Sequence, residues 1–358
     1  MALHHLGGPT RRHHPVQSFT PLNLFAGGIQ GAWFDPSDIS TLFQDSAGTT
    51  PVTAVEQPVG KVLDKSGRGN HATQATAGNR PTYRARYNQL LATATLSTQS
   101  ITTLAATYRI SFSGAGTVTL SGTGSGVFSA GTNTFVATAG TLTCTVAGAV
   151  NNADIRLNST SASMPAYQNV VTGTNYDAAG FLPYLAFNGT SSSMATASIP
   201  FTLAQMSVFA GVTKLSDAAS AIAAELSATV SSNAGAFAFF APLTGGVNSY
   251  SFFAGGTSLV SASIANQFPA PATNVATMLG DISAPSLIHR ENGTQLQNTV
   301  TSQGTGTYGN YPLYIGARAG TSLFFNGNLY GLVVRGASST AAEIAATEAW
   351  MNSKAQAY

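Results

Sequence analysis

Residues 63–83 read LDKSGRGNHATQATAGNRPTY, a run rich in side-chain oxygen and nitrogen and nearly without apolar groups. Asp64, Asn70 and His71 are its candidate ligand-binding residues, because oxygen-rich loops can hold calcium or the hydroxyls of a sugar. A hard cation takes six or more oxygens, and this run offers few. The same residues can instead serve the backbone. Asp64, Ser66 and Asn70 can close Asx and Ser turns, while Gly67 and Gly69 supply positive φ. Arg80 stands where it can pair with Asp64 across the loop. On this second reading the run is a long connection that holds its own shape.

Catalysis finds little to work with among thirteen carboxylates. Glycoside hydrolysis needs two of them facing across a cleft. Asp281 and Glu291 lie on strand-like runs without a near partner, Asp35 and Asp38 share a turn, and Glu343 and Glu348 share a helix. There is no Gly-x-Ser-x-Gly elbow, and His71 and His289 stand in turn-like contexts. Walker loops, GxGxxG openings and His-Glu-x-x-His helices are missing as well. The chain therefore reads as non-enzymatic, with no catalytic residue assigned. His4, His5, His13 and His14 offer imidazoles, yet no neighbouring Cys or Asp completes a metal shell. No cofactor is expected, calcium at the 63–83 loop being the one ion the pattern admits. Tyr308, Tyr311 and Tyr314 are available as sugar-stacking platforms or as core.

The scaffold that must position these groups is sparsely charged. Only 8% of the 358 residues are Asp, Glu, Lys or Arg, against about 25% in ordinary soluble domains. Ser, Thr, Asn, Gln and Gly carry the polar remainder, which suits strands and turns. A net charge of +2 provides no field for nucleic acid or an anionic membrane. The single cysteine, Cys144, excludes an intrachain disulfide and reads as a small core residue. MALHHLGGPTRRHHPVQSF lacks the apolar stretch of a secretory signal, and no 18-residue apolar run exists. Residues 1–28 form a polar arm of a kind that orders only when tied down. It is expected to lie on a neighbouring subunit of a homo-oligomer.

From Ala32 the texture becomes structured. AWFDPSDISTLF breaks at Asp35-Pro36, with Ser37 or Asp38 able to cap a short helical turn. Residues 92–164 carry period-2 runs closed by Gly or Asn: TYRISFSG, GTVTLSG, GVFSA, NTFVATAG, TLTCTVAG and ADIRLN. They predict a small antiparallel sandwich of jelly-roll or immunoglobulin-like type, with a core of Ile110, Phe112, Val118, Leu120, Phe128, Phe135, Leu142, Val146, Ile155 and Leu157. After Tyr167 longer strands follow, among them YLAFNG, MSVFAGVTK, GAFAFFAPL and GNLYGLVVRG. Only residues 340–353 read as helix, opened by a Thr340/Glu343 capping box, with Ile344, Thr347 and Met351 on one face.

AWFDP at 32–36, DKSGRGNHATQATAGNRP at 64–81 and YLAFNG at 184–189 follow one another as the motifs of concanavalin A-like, laminin G-type jelly-roll modules do. HRENG at 289–293, YIGAR at 314–318 and FFNGNLYGLVV at 324–334 resemble the closing strands of that module. About a hundred residues intervene before YLAFNG where the pattern expects few, so an inserted domain is predicted. The fold class is all-β. It comprises a discontinuous concanavalin A-like jelly roll (29–88 plus 167–358), a small β-sandwich inserted at 92–164, the N-terminal arm 1–28 and a short C-terminal helix.

The opening AWFDPSDISTLFQDSAGTTPVTAV, with QDSAGTTPV at 44–52 its most distinctive part, resembles bacteriophage virion structural proteins. That resemblance implies a place in the virion. The chain is then a tail, fibre or spike component that docks by Arg11, Arg12, His13, His14, Phe19, Leu22, Leu24 and Phe25. It presents lectin-like sandwiches to bacterial surface glycan. Its partners would be further copies of itself, with a trimer as the reference case, and other virion proteins, with neither nucleic acid nor membrane. A capsid decoration or cement protein is the alternative, and a glycan hydrolase the third reading.

Overall fold

The computed structural model describes residues 19–160, 164–172, 182–244 and 249–358. Its described part is almost wholly antiparallel strand, with one α-helix at Ala341–Ala355. The first sheet runs Thr294–Thr299, Ser286–Glu291, Ala272–Asp281, Gln205–Lys214, Asn326–Arg335, Tyr184–Asn188 and Thr82–Arg84, with Gly31–Phe34 also on Asn326–Arg335. The second runs Leu259–Ala265, Ser249–Gly255, Ala236–Leu243, Ile222–Leu226, Asn310–Ile315, Met194–Pro200, Ala72–Thr73, Lys61–Val62 and Leu42–Phe43.

One apolar core lies between these sheets. Phe34, Val208, Leu332 and Val334 of the first meet Leu42, Phe237, Phe239 and Phe252 of the second. Period-2 alternation sends Val333 and Phe209 to the outer face, and a break in register at Gly331 turns Tyr330 to the same side; Leu24, Phe25, Met351 and Ala355 cover that face. The strand Gln205–Lys214 is thereby buried on both faces, which is why MSVFAGVTK carries apolar and small residues in succession. The covering helix begins as its sequence predicts. Thr340 Oγ1 accepts from Glu343 N at 3.2 Å, and Glu343 Oε2 accepts from Thr340 N at 2.7 Å.

Strands between Gln99 and Leu157 pair only with one another. Gly131–Ala137, Ala106–Ser113 and Asn151–Leu157 form one small sheet; Gln99–Thr103, Gly140–Ala147, Thr117–Gly122 and Gly126–Phe128 form the other. They enclose a separate core containing every apolar residue the alternation singles out, with Phe128, Val146 and Leu157 at its margin. Cys144 is fully buried within it, and burial pushes its thiol up to about 11.

The chain passes from one core to the other within six residues: Ala85 is buried between the large sheets and Leu90 in the small core. Asn88, fully buried, secures this passage. Its Nδ2 donates to Ala153 O (2.8 Å) and Gln168 O (3.0 Å), while its Oδ1 accepts from Leu90 N and Ile155 N. Gln168 Oε1 accepts in turn from Tyr87 N and Asn88 N. The outgoing and returning chains therefore lie side by side.

Candidate functional site

The loop singled out from sequence is wired to its own fold. Asp64 Oδ1 accepts from Trp33 N (2.9 Å) and Ser66 N (2.8 Å); Oδ2 accepts from Ser66 Oγ (2.7 Å) and Asn70 N (2.9 Å). Asn70 Nδ2 donates to Gly31 O at 2.7 Å, and His71 Nδ1 accepts from Asp64 N at 2.9 Å. Both oxygens of the carboxylate, which is 8% exposed, are thus committed internally. Gly67 and Gly69 adopt φ of 77° and 76°, giving the turn its left-handed steps. Arg80 does not reach Asp64: it donates to Gln74 O and Ala75 O, because Asp64 is already satisfied by closer donors. These residues join the Gly31–Phe34 strand to the Lys61–Val62 and Ala72–Thr73 strands, and Gly31 itself tolerates no side chain there. A Cβ would stand 2.0 Å from Val334 O, at a φ of 155°. The 44–52 run is built alike: Asp45, on the surface, accepts from the backbone N–H of Gly48, Thr49 and Thr50. Those bonds, Thr49 first, hold its carboxyl well below the usual range.

Among the arm residues, Arg11, Arg12, His13 and His14 lie outside the described residues. Leu24 and Phe25 are buried in their own chain against Trp33, Phe209 and Met351, and Phe19 packs at the edge of that cluster. They close the outer face of the first sheet and are not free to dock elsewhere. Leu22, half exposed, is the one that faces solvent. Tyr308 is fully buried and offers no ring face, while Tyr311 is partly buried against the core and donates its hydroxyl to Ala234 O. His289 is no turn residue: it sits on the strand Ser286–Glu291, buried, with Nδ1 at 3.0 Å from Ala262 O and Nε2 at 2.7 Å from Glu291 Oε1. Burial pushes the Glu291 carboxyl up, and this pair lies inside the core, out of reach of any substrate.

What the fold does present is a cleft of about 610 Å³ where the small sandwich meets the large one. That volume falls in the range of small-ligand sites. The connecting segment after the Thr82–Arg84 strand supplies one wall with Arg84, Arg86, Tyr87, Gln89 and Leu91. Gln99, Ser100, Thr102 and Tyr108 of the small sandwich stand with Tyr184 and Asn328 of the large one around it. Tyr184 and Tyr87 pack at 6.1 Å between ring centroids, and Tyr184 meets Tyr330 at 5.5 Å, a tilted aromatic stack beneath the cleft. Burial raises the phenol of Tyr184 far above its ordinary range, so it stays neutral and donates to Arg86 O at 3.1 Å. Glu56, the one carboxylate among the described residues lining the cleft, binds Arg84 at 3.1 Å and holds a left-handed φ of 64°. A non-glycine residue in that region stores of order 1 kcal/mol or more, a cost often found beside binding sites. No second carboxylate among the described residues lines the cleft to complete an acid–base pair. Among the described residues, no cluster of His, Cys, Asp and Glu has the makings of a metal site.

No protein-family model matches this chain, and no curated protein matches it. Solved structures similar to it in part include the botulinum neurotoxin serotype D binding domain, at 7% identity and TM-score 0.38, covering 47% of this chain and 42% of that one. The serotype G binding domain matches at 9% identity and TM-score 0.38, covering 48% and 43%. The Ruminococcus gnavus IT-sialidase CBM40 bound to alpha2,3 sialyllactose matches at 13% identity and TM-score 0.33, covering 41% and 83%. The chain spans about two fifths of the length of the neurotoxin structures it matches.

Proposed function

We propose that the cleft between the two sandwiches binds glycan, and that the chain is a non-enzymatic structural component of a bacteriophage particle presenting this cleft to the host surface. The composition of the cleft carries the reading. Sugars offer hydroxyls to amides, hydroxyls and guanidinium groups, and apolar ring faces to aromatic and aliphatic surfaces. Gln89, Gln99, Ser100, Thr102 and Asn328 supply the first; Tyr87, Leu91 and Leu215 supply the second. Binding without hydrolysis is supported by Glu56, the one carboxylate among the described lining residues, being already engaged by Arg84. The place in a virion rests on the sequence resemblance of residues 32–55.

Two measurements test this. On an array of bacterial surface oligosaccharides the full chain should bind a defined subset. Tyr87→Ala should weaken that binding by about tenfold or more, a loss on the scale of one stacked ring. Wild-type chain that binds no glycan, or binding untouched by changes along the cleft, would remove the reading. The particle assignment is tested by mass-spectrometric counting against the major capsid protein. A ratio of a few per cent is expected for a tail or fibre component; a ratio near one would transfer the chain to a shell-stabilising role.

A further inference from the structure

We infer that the cleft selects glycans whose bound unit carries one negative charge, met by Arg86. This rests on the glycan reading above and specifies the class of sugar. Among the described residues, three charged side chains line the cleft: Glu56, Arg84 and Arg86. The first two neutralise each other, with Arg84 Nε and Nη2 both 3.1 Å from Glu56 Oε2. Arg86 is left over. Its Nη1 is buried without a hydrogen-bond partner, and no carboxylate among the described residues lies within ion-pair distance of it. A partly buried guanidinium without a counter-charge is costly, and an anion in the cleft would compensate its charge.

The surroundings strengthen this. The other described lining residues are neutral, so among them one positive charge sets the local field. A chain with only thirteen carboxylates in 358 residues provides little to cancel it. Arg86 also rises from fixed backbone. Its carbonyl accepts from the Tyr184 hydroxyl, and the next residue's N–H is held by Gln168 Oε1. Ala85 before it is buried in the large core. The side chain thus starts from a rigid root beside the rings of Tyr87 and Tyr184, and little ordering is needed when an anion arrives.

A uronic-acid carboxylate and a sugar phosphodiester each present a single negative charge, and the test includes both. Affinities of the full chain would be measured by calorimetry for galacturonate oligosaccharides and their methyl esters. A glycerol-phosphate-bearing glycan and its phosphate-free parent form the second pair. The charged member of at least one pair should bind about tenfold more tightly. Arg86→Gln should bring it down to the affinity of its neutral counterpart while leaving the neutral member unchanged, and Arg86→Lys should keep part of the preference. The two pairs together identify which anion is taken. Equal affinities within both pairs, or a preference that survives Arg86→Gln, overturn this inference and leave the glycan reading standing. Failure to bind any member of either pair, alongside an empty array, removes both.

Discussion

Replacing Asp64 by alanine should destabilise the chain by about 3–5 kcal/mol, more than any change at the surface of the same loop. The carboxylate accepts from three backbone N–H groups, those of Trp33, Ser66 and Asn70, and from the Ser66 hydroxyl. Alanine strands these donors in a largely buried loop, and each unsatisfied buried group costs about 1–3 kcal/mol. The losses partly overlap because the loop can relax. Asp64→Asn keeps one acceptor oxygen and turns the other position into a donor facing donors, so it should fall between wild type and alanine. Denaturant unfolding followed by tryptophan fluorescence checks this, since Trp33 stands at the end of the network. A midpoint shift worth less than about 1 kcal/mol for Asp64→Ala would show that the loop is not the staple described.

The second large effect is expected at Arg318→Ala. Glu225 is fully buried, and its carboxylate takes Arg318 Nε at 3.0 Å and Nη2 at 3.1 Å together with the Val230 N–H at 2.8 Å. Removing one partner of a buried pair costs about 3–5 kcal/mol, because the other charge is left without compensation. The sign with pH follows from Glu225. Burial already raises its carboxyl above the ordinary 4.5, with Arg318 pulling the other way. Without Arg318 the folded-state value rises further. A group raised in the folded state has its full stabilising contribution below its unfolded value and loses it as pH rises. The deficit of Arg318→Ala against wild type should therefore be small near pH 4 and grow steadily toward pH 7. Adding Glu225→Gln to that variant should recover most of the loss at pH 7, since the amide oxygen still accepts from Val230. A deficit independent of pH, or no recovery in the double variant, would place the cost in lost packing of Arg318 against Phe240, 5.6 Å away.

Much of the architecture is legible in the residues because it obeys local rules. Alternation marks the strands, Thr340 and Glu343 mark the helix start, and the small core follows from period 2. The 63–83 loop shows where such reading divides. Oxygen-rich turns look alike whether they face a ligand or their own backbone, and only the positions of the Trp33 and Asn70 N–H groups decide between them. The cleft is illegible for a different reason. Its lining comes from residues 56, 84–91, 99–108, 157, 184, 215 and 328, assembled by the fold without a contiguous motif. One signal was available: Arg80, Arg84 and Arg86 crowd into RPTYRARY in a chain otherwise poor in charge. Glu225 and Lys214 escape notice for a third reason, because charged residues on buried strands break the pattern by which buried strands are found.

The seam at Asn88 and Gln168 bears on how such a protein can diversify. A module whose two ends emerge side by side, stitched by a handful of hydrogen bonds, can be replaced as a cassette without rethreading its host. Because the cassette contributes Gln99, Ser100, Thr102 and Tyr108 to one side of the cleft, each exchange would alter that side while the large sandwich and the rooted arginine stay as they are. Recombination at this seam would replace one side of the cleft in a single step, where point mutation would have to rebuild it residue by residue.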